Sequence, residues 1–504
     1  MLFPSDVPVW LLILATCLLL APIALSLTRT LTSPLNAIPG PWPNRLSPIP
    51  YFYNSAFLLR QAQYLTSLHL THGPIVRLGP NEIGLSSLED IKAVHKIGAG
   101  FAKAPWYDYI AMTEADRGPP GLFQMRDFHE HAGRRKLLAR GFAVSGLRGA
   151  WEGMVREKAR KAVEGIGRDA VDGRGRVVDV RRWWMIMASD VISEVAFGKS
   201  FGGLETGENS TFSDAILRSN KINMLALMLP WVYNLATHIP IPAWTPYFKA
   251  HVELADIASV AVRNSRADAT DRNIFSSILS QGEKANDEGT LTDQQILIEA
   301  GNLISAGSDT TAETLTYLVW AVLSHPETQK LLEEEVALVE EPMRDSELEK
   351  LPVLNAVIQE TLRLYPASPF PEPRVVPKGG ATFQGYFLPE GTVVSTSPWV
   401  TQRNAEFFPD PERFDYTRWL PNGPATNSET SKAAWWPFGA GSRVCIGRHL
   451  AMMEIRMAAT LFFREYRGAK LAPETTEESM AVNNFVISHP AGGACWVVLP
   501  ERKA

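Results

Sequence analysis

One segment restricts the fold more than any other: a helical pattern that starts at Thr292 and runs without a proline to Ser324, before His325-Pro326. Thr292 and Gln295 fit a capping box, in which a hydroxyl and an amide satisfy backbone groups orphaned by the first turn. Pro326 disfavours helix at the residue before it. At 1.5 Å per residue this helix is roughly 50 Å long, enough to cross a whole domain. Its middle, Ala306-Gly-Ser-Asp-Thr-Thr311, is built from poor choices for a helix interior. A local rule broken there marks function. A second helix, roughly Val353 to Leu364, stops at Pro366 and carries Glu360 and Arg363 on one face. Short β-like pieces fall near Ile75–Leu78, Glu82–Leu85, Ala381–Phe387 and Thr392–Thr396. The expected class is mainly α with a small β region.

The net charge of −5 is small for 504 residues and argues against a nucleic-acid binder. Three cysteines, Cys17, Cys445 and Cys495, exclude a disulfide framework and a zinc site made of several thiolates. The body of the chain fits a reducing compartment. Asp6 and Arg29 bracket an uncharged, largely apolar run from Val7 to Thr28. About 20 such residues span a bilayer as a helix. A cleaved secretory signal is the alternative, but signals have a basic start and a shorter apolar core. Arg29 follows the span, which places the rest of the chain on the cytoplasmic side. Pro34, Ile38-Pro-Gly-Pro-Trp-Pro43, Pro48 and Pro50 then read as a stiff, non-helical hinge. The expected organisation is an anchor over 1–30, a hinge over 31–50 and a catalytic body over 51–504. Asn209-Ser210-Thr211 is a glycosylation sequon that a cytoplasmic body would not use.

The residues that carry chemistry centre on Pro437-Phe-Gly-Ala-Gly-Ser-Arg-Val-Cys-Ile-Gly447. Gly439, Gly441 and Gly447 permit tight turns around one cysteine. Amides freed by such a loop, with Arg443 close by and a following helix N-terminus, stabilise a thiolate. Phe438 is placed to cover the sulfur on its apolar side. Cys445 so framed suits an axial metal ligand or a nucleophile; a buried structural cysteine is the plain alternative.

The segment resembles the haem-binding pattern F-x-x-G-x-R-x-C-x-G of the cytochrome P450 family at every fixed position: Phe438, Gly441, Arg443, Cys445 and Gly447. Glu360-Thr-Leu-Arg363 resembles the family's E-x-x-R motif. Phe408-Pro-Asp-Pro-Glu-Arg413-Phe resembles the segment supplying a second arginine to that pair. Ala306–Thr311 resembles the oxygen-activation segment, and Ile38–Pro43 the hinge after the anchor. These features follow the family's order over almost the whole chain.

The resemblance implies the cytochrome P450 fold behind a single N-terminal transmembrane helix, with haem b bound through the Cys445 thiolate, which favours O–O cleavage. Arg443 and Arg374 are then candidates for the haem propionates. His131 and Arg135 meet the spacing of a family W-x-x-x-R pair, with His in place of Trp; a solvated face of Arg134, Arg135 and Lys136 is the bland reading. Asp309 and Thr310 become the proton-delivery pair, against simple back-bonding of the threonine to the preceding turn. Glu360, Arg363 and Arg413 become a buried structural triad. The implied activity is insertion of one oxygen atom from O2 into an apolar organic substrate, by hydroxylation or epoxidation. The motifs are similar in flavour to filamentous-fungal members that tailor polyketide, terpenoid or mixed secondary metabolites. Electrons would come from an NADPH-dependent flavoprotein reductase, docked with help from Arg443, Arg448 and Lys432, at the endoplasmic reticulum membrane. Trp106, Phe123, Asn302, Ser305, Phe370 and Phe485 are pocket candidates by position, each open to being ordinary core. Two rivals remain at this point: a haem-thiolate isomerase or synthase needing no external electrons, and a non-enzymatic haem-binding protein.

Overall fold

A computed structural model describes residues 32–109, 120–172, 176–208, 245–266, 273–276 and 291–501, with isolated positions outside these ranges. The apolar run before Arg29 and the sequon at Asn209 lie outside the described residues, apart from single positions in the run. Among the described residues no helix is long and apolar enough to cross a membrane. The chain forms two compact units, one of residues 1–102 and 371–397, the other of residues 103–370 and 398–504.

In the first unit, strand Glu82–Leu85 pairs antiparallel with Ile75–Gly79 and parallel with Val393–Thr396. Val393–Thr396 in turn pairs antiparallel with Glu372–Val375. The expected piece 381–387 is a tight hairpin, Ala381–Phe383 against Tyr386–Leu388. Leu35, Ile38, Ile75, Ile83, Val94, Val376 and Val394 share its core. The proline-dense stretch corrects the expectation of a non-helical hinge. It holds a 3-10 turn, Pro34–Ala37, and short helices Trp42–Leu46 and Ile49–Phe52. Each has proline in its first turn, where the missing N–H is not needed.

The second unit is helical. Its 31-residue central helix, Asp293–Leu323, has the expected reciprocal cap between Thr292 and Gln295. It packs along Val180–Phe197 and is also flanked by Thr245–Arg266, Arg448–Glu465 and Pro352–Leu364. At Gly307 an added Cβ would lie 2.8 Å from Ile192, so glycine permits that crossing. Tyr317, Leu318, Trp184, Met457 and Phe462 belong to the common core. Strands Val177–Asp179, Trp496–Val498 and Lys470–Leu471 form a small antiparallel sheet beside it.

Candidate haem-thiolate site

The cysteine loop lies between Trp436 and the helix Arg448–Glu465, which Gly447 caps. Gly439 and Gly441 adopt φ of 75° and 65°, a left-handed backbone that disfavours side chains. The Cys445 amide closes the loop by donating to the Phe438 carbonyl at 2.8 Å. The amides of Gly447 and Arg448 donate to the sulfur, and the charges of Arg135 and Arg448 act on it. Burial nevertheless dominates and pushes the thiol up. Cys445 is at the same time solvent-accessible, whereas Cys495 is buried.

Among the described residues no group of three or more His, Cys, Asp or Glu side chains is placed to hold a metal ion. A lone accessible sulfur of this kind fits a metal that brings its other ligands with it, as porphyrin iron does. Two backbone donors and two nearby guanidinium groups suit a ligand that must stay ionised.

His131 and Arg135 share the helix Phe128–Ala139, with His131 buried and Arg135 half-buried. Burial lowers the Arg135 pKa, and Cys445 opposes that shift. The bland reading of this face fails at Arg134, which is buried and donates to Glu299 of the central helix at 2.7 Å. Arg443 donates to the backbone carbonyls of Met125, Arg126 and Asp127 at 2.8, 3.2 and 3.4 Å, tying the cysteine loop to the start of the same helix. Arg448 stacks over the Phe438 ring at 5.7 Å. Arg374 belongs to the other unit, where it is buried in strand Glu372–Val375 and donates to Glu372 at 2.7 Å.

The central helix opens where its sequence breaks the helical rule. Residues on either side are buried, yet Ala306 is exposed and Ser305, Asp309 and Thr310 are partly so. The Thr310 hydroxyl donates to the Ala306 carbonyl at 2.7 Å. This back-bond stabilises the polar turn and leaves the oxygen's lone pairs free to accept. Burial pushes the Asp309 carboxyl up to about 6, with Arg181 opposing. A carboxyl that can hold a proton near neutral pH, beside a hydroxyl on an open turn, is suited to proton transfer.

Glu360 and Arg363 are both fully buried and meet through two hydrogen bonds of 2.9 Å. Arg413 is not the third partner. Its side chain is exposed, and only its carbonyl takes part, accepting from Arg363 at 3.1 Å. The second cation on Glu360 is Arg418, at 3.4 Å, joined by Trp419 Nε1 at 2.8 Å and the Asp415 amide at 2.9 Å. The physical reason lies in the flanks. Asp410-Pro-Glu-Arg413 is a solvated turn, whereas Arg418 lies in the 3-10 turn Tyr416–Trp419, whose Trp419 also donates to Glu360.

Of the pocket candidates, Trp106 and Phe370 stack at 5.2 Å and 23°. Tyr107 meets Trp106 edge-on at 5.0 Å and Phe123 at 5.5 Å, so the rings form one row. Phe123 is held beside the central helix by its neighbours: the Leu122 amide donates to Glu299, and Gln124 and Asn302 exchange amide hydrogen bonds of 3.1 and 3.0 Å. Phe485 is half-buried in the turn between Val482–Asn484 and Ser488–Pro490.

The cytochrome P450 family model matches residues 43–495. The chain is 40% identical to cytochrome P450 monooxygenase stcB of Emericella nidulans, over 93% of this chain and 89% of that protein. It is 37% identical to cytochrome P450 monooxygenase cypX of Dothistroma septosporum, over 98% and 97%. It is 36% identical to cytochrome P450 monooxygenase aflV of Aspergillus parasiticus, over 97% and 96%. With a lone accessible sulfur held by two amides and relatives that match it end to end, the chain belongs to the cytochrome P450 family and is a monooxygenase.

Proposed function

We propose that this monooxygenase oxidises a flat, largely apolar organic molecule as a tailoring step in fungal secondary metabolism, from an anchor in the endoplasmic reticulum membrane. One atom of O2 enters the substrate and the other leaves as water, with two electrons and two protons consumed. Haem held by Cys445 supplies the activation of dioxygen. The chain's own residues bind, orient and protonate. The Gly447 and Arg448 amides donate to the sulfur and oppose the burial that favours its protonated form. Asp309 carries a proton on the central helix, and Thr310 accepts and passes it at the open turn. Of the aromatic row, Trp106 and Phe123 keep some exposure and can meet a planar substrate, while the buried Tyr107 and Phe370 pack behind them.

The fungal setting rests on relatives from Emericella, Dothistroma and Aspergillus. The anchor over 1–30 and the catalytic body beyond the hinge rest on the uncharged run from Val7 to Thr28. Electrons are assigned to an NADPH-dependent flavoprotein reductase, with Arg443, Arg448 and Lys432 as cations for an acidic partner.

The observation that carries this reading is the solvent-accessible Cys445, whose sulfur accepts from the Gly447 and Arg448 amides. Cys445→Ala in the full-length protein, co-expressed with a reductase, tests it. The red-shifted Soret band of the reduced carbon monoxide complex is expected to vanish; its survival would remove Cys445 as ligand. Binding difference spectra with planar polycyclic aromatics against linear alkanes test the substrate class. Tighter binding of alkanes contradicts the stacking wall.

A further inference from the structure

Behind Asp309, away from the expected hydroxyl partner, lies a second buried acid. Glu313 is one helical turn further along the central helix, so the two carboxyls share a face. Arg181, at the start of helix Val180–Phe197, donates twice to Glu313 Oε1, at 2.9 and 2.5 Å. Its third nitrogen donates to the exposed Gly493 carbonyl at 3.1 Å. The guanidinium thus bridges a carboxyl that is 2% exposed and the protein surface, itself being 22% exposed. Glu313 Oε2 is buried with no hydrogen-bond partner, and so is the Tyr317 hydroxyl one turn beyond. An ionised oxygen left bare in such a place is costly, and a proton on it removes most of that cost.

The other groups around the pair fit the same picture. Asp179 caps the Arg181 helix and accepts from the amides of Arg181 and Cys495. Asp179 acts on Glu313, Glu313 in turn acts on Cys495, and His489 lies in the field of Arg181. Tyr317 stacks on Tyr365 at 4.9 Å. Arg181 is the cation that acts on both carboxyls, and Glu313 holds it by two hydrogen bonds.

We propose that Glu313 is a proton reservoir that refills Asp309, with Arg181 as its hinge to solvent. This rests on the reading of Asp309 as the proton donor of the site. When Asp309 gives up its proton, the O–H bond of Glu313 breaks and the proton passes one turn along the helix to the Asp309 carboxylate. Glu313 then takes a replacement proton from solvent at the Arg181 edge. No electron moves in the exchange. Burial and the neighbouring carboxylate push Glu313 up to about 7 and burial pushes Asp309 up to about 6, so Glu313 still holds its proton when Asp309 has lost its own, and the passage between them is uphill by only about one unit.

The test uses full-length haem protein with its reductase. Infrared pH-difference spectra report the buried carboxyl groups, and NADPH oxidation without added substrate is measured in H2O and D2O. The wild-type protein is expected to show two buried acids titrating as a coupled pair. Glu313→Gln should remove one band and, by freeing Arg181 toward Asp309, move the other to lower pH by about one unit. NADPH oxidation should slow several-fold with a larger solvent isotope effect, and its alkaline limb should shift the same way. Glu313→Asp should restore both carboxyl bands and the rate. If Glu313→Gln fails to retain haem, the double variant Arg181→Gln/Glu313→Gln, which leaves no stranded cation, supplies the comparison. Unchanged spectra, rate and isotope effect in these variants overturn the proposal. Asp309→Asn separates the two readings. If it alters NADPH oxidation while Glu313→Gln does not, the reservoir alone is wrong; if neither does, the assignment of Asp309 falls with it.

Discussion

Arg413 and Arg418 bring the same charge into opposite surroundings, and the consequences are measurable. Arg413→Ala removes an exposed side chain and is expected to shift stability by less than about 0.5 kcal/mol. Arg418→Ala strips a buried cation from Glu360, but Arg363 still neutralises that carboxylate. The expected loss is therefore about 1–3 kcal/mol, the scale of lost buried hydrogen bonds. Arg363→Ala leaves Glu360 without its two-point partner and should cost about 3–5 kcal/mol, together with haem retention. Thermal midpoints of the three variants check this order, and equal loss in Arg413→Ala and Arg418→Ala would contradict it. Thr310→Ala removes the hydroxyl but not the turn, whose carbonyls remain in the helix. It should bind haem normally while sending electrons to peroxide, read as peroxide released per NADPH. Full coupling in that variant would remove Thr310 from the relay.

Between elements, the contact that positions the site is the ion pair of Arg134 and Glu299. It joins helix Phe128–Ala139, which carries His131 and Arg135, to the central helix, and Glu299 also accepts from the Leu122 amide. Arg134→Ala would strand a buried carboxylate, at about 3–5 kcal/mol. Faster hydrogen exchange is expected in both Phe128–Ala139 and the first turns of the central helix. Faster exchange in only one of them would mean that the pair does not couple the helices. The motif spacing of His131 and Arg135 was readable along one helix. The Arg134 pair was not, because its partner lies more than a hundred residues away in sequence.

At the scale of the whole molecule, two buried histidines of the first unit and two acids of the second should respond to acid in opposite directions. In the first, burial lowers the pKa of both His69 and His95 to about 4. Between pH 6.5 and 4 the unfolded chain binds the protons these rings refuse, so the stability they contribute is lost as pH falls through that window. In the second, Asp309 and Glu313 are raised to about 6 and about 7, so the folded chain holds protons the unfolded chain has released. Their contribution is fully present below their ordinary values of 3.8 and 4.5 and is lost as pH rises from there through 6 to 7. Hydrogen exchange, corrected for its intrinsic pH dependence, should rise on acidification in Gln61–His72 and Leu88–His95. Around Asp309 it should rise on going alkaline. The same direction of response in these histidine helices and around Asp309 would refute this prediction. The sequence by itself determined what depends on local spacing: the capped central helix, its defective middle turn, the glycine-framed cysteine and the Glu360–Arg363 pair. Only the tertiary structure decided which arginine reaches Glu360, that Arg134 is buried, and that Arg181 clamps Glu313. These are pairings between residues distant in sequence, and only the packing of the elements determines which side chains meet and which charges lose their water.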